Sequence, residues 1–98
     1  MKITKKANGQ SVTLFVEGRL DTATAPELDV EINKLGAVTD LTLDFAKLEY
    51  VSSAGLRVLL AAQKGINARN GKMVIVKAND VVRDVFDVTG FSDFIKLK

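Results

Sequence analysis

The 98-residue chain has no histidine, no cysteine and no tryptophan, and only one proline. Without His and Cys, Ser–His and Cys–His nucleophilic devices are impossible, as are zinc sites of the usual ligand set. The absence of Cys also removes any disulfide framework, which suits a cytoplasmic setting. No apolar run approaches the roughly 20 residues needed to cross a bilayer. No apolar core follows the start MKITKK, so neither membrane insertion nor a signal peptide is expected. The net charge of +2 is small and its lysines and arginines are scattered. A basic stripe interleaved with stacking aromatics is missing, so no nucleic-acid partner is expected. Carboxylates, lysines and hydroxyls are all that remain for catalysis, and no convergent acidic pair points to an enzyme. No catalytic residue, metal ligand or cofactor is assigned.

Hydrophobic residues make up 47% of the chain. A domain of this length buries about two-thirds of its unfolded surface, so every element must feed one core, and residues 1–98 are expected to form a single domain. Asn8-Gly9 is the preferred pair for a tight hairpin turn between Lys2–Lys6 and the alternating run Val12–Glu17. Val12, Leu14 and Val16 face the core, and Phe15 points the other way. Gly18–Pro26 is expected to be a loop, with Glu17 and Asp21 in either a solvated turn or a contact surface.

Thr24-Ala25-Pro26-Glu27 matches a capping box opening a helix, in which Leu28, Ile32 and Leu35 have helical spacing and Gly36 is the stop. A strand over Leu41–Phe45, a polar turn over Ala46–Ser53 and a helix from about Ala54 to Asn70 follow. Met73–Val76 is a buried strand, Asn79 or Asp80 caps a third helix ended by Gly90, and Phe94–Leu97 is a last strand. The expected fold is α/β: a mixed sheet of about five strands in the order ββαβαβαβ, packed by about three helices.

Leu56, Leu59, Leu60 and Ile66 form the core stripe of the second helix, and Val58, Ala62 and Gly65 a strip of small residues for a neighbouring helix or a partner. Arg57, Lys64 and Ala68 are solvated. In the third helix Asp80, Asp84 and Asp87 make the wet face opposite Val81, Val85 and Val88. Gly65–Lys72 looks superficially like a phosphate loop, but its spacing is wrong and it ends a helix instead of opening one.

The segment Leu43–Leu60, LDFAKLEYVSSAGLRVLL, carries most of the functional information. A short strand leads to a serine pair, a glycine and a Leu-rich helix. A hydroxyl is thereby set at a helix amino terminus, where free N–H groups and the macrodipole favour an added anion. Such a serine can cap the helix, accept a phosphoryl group, or both. Gly55 is a poor residue for a first helical turn, which makes sense if another backbone or a phosphate must come close.

In order along the chain, EGRLDTATAPEL (Glu17–Leu28), LDFAKLEYVSSAGLRVLL (Leu43–Leu60), GKMVIVKAND (Gly71–Asp80) and FDVTGF (Phe86–Phe91) resemble the STAS-domain anti-sigma factor antagonists of bacteria. The resemblance implies a cytoplasmic partner switch. The unmodified domain binds an anti-sigma factor that is itself a serine kinase, and so frees a sigma factor. The kinase then phosphorylates the antagonist, and a PP2C-type, metal-dependent serine phosphatase reverses the step. The family's acceptor lies two residues before the motif glycine and corresponds to Ser53. Ser52 stands where Asp is usual and becomes an alternative acceptor, and Ala54 stands where Ser or Thr is usual. By the same resemblance Asp21, Thr22, Ser52, Ala54, Gly55 and Arg57 border the partner surface. The alternative is a STAS-like structural subunit of a cytoplasmic complex, such as a lipid-transporting ABC system, with no phosphorylation.

Overall fold

The computed structural model describes residues 1–98 as one α/β unit. In chain order the elements are β1 (Lys2–Asn8), β2 (Ser11–Leu20), α1 (Ala25–Asn33), β3 (Asp40–Asp44), β4 (Leu48–Val51), α2 (Ser53–Ala68), β5 (Lys72–Val76), α3 (Asp80–Thr89), a 3₁₀ turn (Phe91–Asp93) and β6 (Lys96–Leu97). The mixed sheet runs β1-β2-β3-β5-β6, with β4 paired to β2 off this path. Only β1 is antiparallel to its neighbour.

Period-two patterning decides which sheet face is covered. Val12, Leu14 and Val16 of β2, Leu41 and Leu43 of β3, and Met73 and Ile75 of β5 are buried in one cluster with Leu28, Leu56, Leu59, Ile66, Val82 and Phe86 of the helices. Their neighbours Thr13, Phe15, Thr42, Val74 and Val76 are only half-buried, so the helices share one face and leave the other open.

Several sequence expectations shift. The hairpin loop is Gly9-Gln10, not Asn8-Gly9: Asn8 pairs with Ser11 and Gly9 takes φ +63°. Residues Gly18–Leu20 are strand instead of loop. β2 gives its first half, Ser11–Phe15, to β3 and its last residues, Gly18–Leu20, to β4. β4 is the strand beyond the expected five and lies inside the stretch expected to be a turn. With only four residues, two of them buried, it shows no alternation for a sequence pattern to catch.

The capping box does not form. Thr24 occupies the N-cap of α1 in a helical conformation and makes no side-chain cap bond. Its hydroxyl is engaged upstream by Arg19 and Asp21. α2 begins one residue earlier than expected and buries Leu56, Leu59, Ala62 and Ile66, whereas Leu60 is only half-buried. Of the small strip, Ala62 is internal, and with Gly65 it lines a cavity of about 130 Å³ against Ile32 and Leu35 beside α1.

The close of α2 is a Schellman arrangement. Gly71 N–H donates to Ile66 C=O at 2.9 Å, Asn70 N–H donates to Asn67 C=O at 3.0 Å, and Asn70 takes the left-handed φ of 57°. Gly71 is needed because a methyl group there would collide with the Thr39 carbonyl. Asn79 caps α3, accepting from Val82 N–H at 2.8 Å. The buried face of α3 is Val82 and Phe86, not the expected Val81, Val85 and Val88. The last strand shrinks to Lys96–Leu97, and Phe94 is exposed.

Candidate functional site

The site is assembled where β2 and β4 end side by side. Leu20 pairs with Val51, and Ser52 N–H donates to Leu20 C=O at 2.8 Å. From this bond one chain leaves through Asp21 into the loop before α1, and the other through Ser53 into α2. Residues 32 apart in sequence thus emerge together at the amino end of α2.

The two serines divide their work. Ser52 is the N-cap, with an extended backbone (φ −97°, ψ 175°), and its Oγ accepts from Gly55 N–H at 3.3 Å. Its carbonyl accepts from Leu56 N–H at 2.9 Å. With Ser52 N–H bonded to Leu20 C=O and Gly55 N–H to Ser52 Oγ, two of the four orphan N–H groups of the helix start are satisfied, and those of Ser53 and Ala54 remain at the open end. Ser53 is the first helical residue and is exposed, whereas Ser52 is half-buried. Arg57, one turn further along, is also exposed; the i, i+4 spacing puts it on the same side of the helix as Ser53.

Gly55 is explained by packing and not by an anion. A methyl group in its place would stand 2.6 Å from Leu20 Cγ and 3.0 Å from Val51 Cγ2. Gly55 is buried beneath the first turn, so it sets how closely α2 approaches β2 and β4 but offers no surface to a partner. Ala54 is half-buried.

The adjoining loop is locked by one carboxylate and one hydroxyl. Asp21 Oδ1 accepts from Ala23 N–H at 3.0 Å and from Thr24 N–H at 3.1 Å. Thr24 Oγ accepts from Asp21 N–H at 2.9 Å and donates to Arg19 C=O at 2.7 Å. The Thr24 N–H bond is the main influence holding the Asp21 carboxyl below its ordinary range. The Thr24 hydroxyl, Ala23 N–H and Arg19 guanidinium add to it, and desolvation opposes it. Thr22, at the loop tip, is exposed.

Arg19 bridges this loop to β4. Its Nε lies 3.9 Å from Asp21 Oδ2, and its guanidinium sits 4.7 Å from the Tyr50 ring centroid, across the β2–β4 pair. No sequence motif assigns Arg19, Thr24 or Tyr50 to this site. A signal existed, since the apolar alternation Val12, Leu14, Val16 resumes in phase at Leu20 across Gly18 and would have carried β2 past Arg19.

No helix is long and apolar enough to cross a membrane. Asp80, Asp84 and Asp87 are all exposed along α3.

Residues 3–97 match the family model described as "Mlab, STAS domain". The chain is similar to BtrV of Bordetella bronchiseptica, at 33% identity over 96 residues, covering 93% of this chain and 80% of that protein. It is similar to the anti-sigma-B factor antagonist of Listeria monocytogenes, at 29% identity over 96 residues, covering 96% of this chain and 84% of that protein. Among solved structures, the anti-sigma factor antagonist SpoIIAA superposes with a TM-score of 0.78 in its unphosphorylated form, at 19% identity over 99% of this chain and 87% of that one. The Bacillus SpoIIAA in its phosphorylated form gives 0.77 at 20% identity, over 99% and 91%. These two structures share the fold. On the family model and the sequence relatives together, the chain belongs to the STAS-domain family of anti-sigma factor antagonists.

Proposed function

We propose that this protein is an anti-sigma factor antagonist operated by phosphorylation of Ser53. The unmodified domain docks on an anti-sigma factor that is also a serine kinase, through a surface formed by the Asp21–Thr22 loop, Ser52, Ser53, Ala54 and Arg57. Docking frees a sigma factor. In the release step Ser53 Oγ forms a bond to the γ-phosphorus of ATP, the bond to the ADP oxygen breaks, and the hydroxyl proton passes to the kinase. A PP2C-type phosphatase hydrolyses the ester and resets the switch.

The observation that carries this reading is the division between the serines. Ser52 is committed to the cap, whereas Ser53 is exposed beside free N–H groups at the same helix end. The relatives are regulators by name, and SpoIIAA has been solved in both an unphosphorylated and a phosphorylated form.

Magnitudes favour a switch at this position. A phosphoryl group brings about −1.5 to −2 charges. The helix terminus stabilises such a charge by roughly 0.3–1 kcal/mol, so the modified domain stays folded. In an interface shaped for a neutral hydroxyl the same charge goes unpaired, at a cost of about 2–5 kcal/mol. That corresponds to roughly 30-fold to several-thousand-fold in affinity. The interface therefore loses far more than the fold does.

Incubation with the cognate kinase and ATP, followed by peptide mass spectrometry, tests the assignment. Phosphate is expected on Ser53. Phosphate on Ser52 alone would move the switch to the cap, and phosphate at neither serine would refute it.

A further inference from the structure

Helix α3 buries one apolar face and leaves a second only partly covered, with Val85 packed against the core and Val81 and Val88 outside it. Val82 and Phe86 are fully buried, whereas Val81 is 55% exposed and Val88 87% exposed. Val81, Val85 and Val88 recur at i, i+4 and i+7, which places them on a single outward stripe, with Val85 half-buried at its centre. Valine is a poor choice for the solvated face of a helix, because its branched side chain loses rotamer freedom there. A contiguous outward valine stripe therefore marks a contact surface.

Charge identifies the occupant. Asp80 and Asp84 run along one margin of the stripe, and neither enters an ion pair within the chain. The only cation on the helix, Arg83, is turned to the carbonyls of Ala78 and Lys98. Residues 80–93 carry four aspartates against one arginine, a net −3 on a chain whose total is +2. An antiparallel pair of α3 helices from two copies would set acidic margin against acidic margin. An anionic bilayer would meet the same repulsion.

We propose that the outer face of α3 is a docking surface for a basic amphipathic helix of a partner protein. The apolar side chains of that helix cover Val81, Val85 and Val88, and its lysines or arginines pair with Asp80 and Asp84. This surface is separate from the Ser53 switch and does not depend on it.

The test is an amide chemical-shift titration of the full chain with an 18-residue Leu/Lys peptide of amphipathic helical pattern, alongside its Leu/Glu counterpart. Shifts are expected to cluster at Val81, Asp84, Val85 and Val88, with the Glu peptide binding at least tenfold more weakly. The double substitution V81K/V88K should weaken binding at least tenfold without moving the thermal midpoint; should it perturb folding, D84K serves in its place, with at least a threefold loss. Ser53→Asp should leave binding unchanged. Absent binding, shifts centred elsewhere, equal affinity for the Glu peptide, or a self-associating species abolished by V88K would each overturn the proposal.

Discussion

Gly55 and Leu20 are packed so closely that a single added methyl group on Gly55 would stand 2.6 Å from Leu20 Cγ. The contact clamps the start of α2 to the end of β2, the two points from which the Ser53 and Asp21 segments emerge. Gly55→Ala gains helix propensity of about 1 kcal/mol, but the overpacking costs about 1–3 kcal/mol. Leu20 is fully buried beside its strand partner Val51, which leaves it little room to swing away. A net loss of up to about 2 kcal/mol is expected in urea unfolding. The Gly55→Ala penalty should shrink in a Leu20→Ala background, where Cγ is gone. Additive effects in that double-mutant cycle would contradict the clamp.

Gly65, ten residues along the same helix, should give the opposite sign. A methyl group at this position meets nothing within 4 Å, and its backbone is helical. Gly65→Ala is therefore expected to stabilise the domain by about 1 kcal/mol, through helix propensity alone. A rise in the urea midpoint with an unchanged slope is the expected readout. A destabilised Gly65→Ala would mean that α1 and α2 pack more tightly than the 130 Å³ cavity between them indicates.

Asp21 makes the loop beside Ser53 sensitive to acid. Its carboxyl lies below the ordinary 3.8, chiefly because the folded loop presents the Thr24 N–H to the ionised form. A depressed carboxyl holds fewer protons folded than unfolded. Its stabilising contribution is thus complete above about 3.8 and is lost as pH falls through the lower folded value. Titration of the Asp21 carboxyl carbon by NMR should show this lowered midpoint, with the Ala23 and Thr24 amide signals moving in step. Asp21→Asn should remove that step from the acid limb of the stability curve. A midpoint at or above 3.8 would mean that the N–H bonds do not favour the carboxylate.

Much of this architecture was legible from spacing. The three helices, the alternation in β2 and the stops at Gly90 and Asn70-Gly71 follow from local periodicity and backbone chemistry, which act within a few residues. What escaped depends on distant partners. β4 is a strand because the far end of β2 offers Gly18–Leu20 as a partner, a fact not written in Leu48–Val51. The Thr24 capping box fails because Asp21 and Arg19 compete for its hydroxyl. In α3 both valine sets fit helical spacing, and only the position of the sheet selects Val82 over Val81. At the site, Ser52 and Ser53 were visible as a pair, but their separate roles needed the extended backbone at Ser52 to be seen.

Those separate roles make the last prediction a comparison of neighbours. Ser52→Ala removes the acceptor for Gly55 N–H and should cost about 0.5–2 kcal/mol in stability. Ser53→Ala removes an exposed hydroxyl and should fall within about 0.5 kcal/mol of the parent. For partner affinity the order should reverse. Ser53→Asp, which places a charge at the helix end, should weaken binding to the proposed anti-sigma kinase by tenfold or more while leaving the thermal midpoint nearly unchanged, because the macrodipole favours an anion there. Ser52→Ala should alter binding only to the extent that it loosens the first turn. Calorimetry on the variants paired with titrations against the kinase separates the two axes. If Ser53→Asp lowered stability as much as Ser52→Ala and left binding intact, both serines would be caps, and the switch would have to lie elsewhere on the surface.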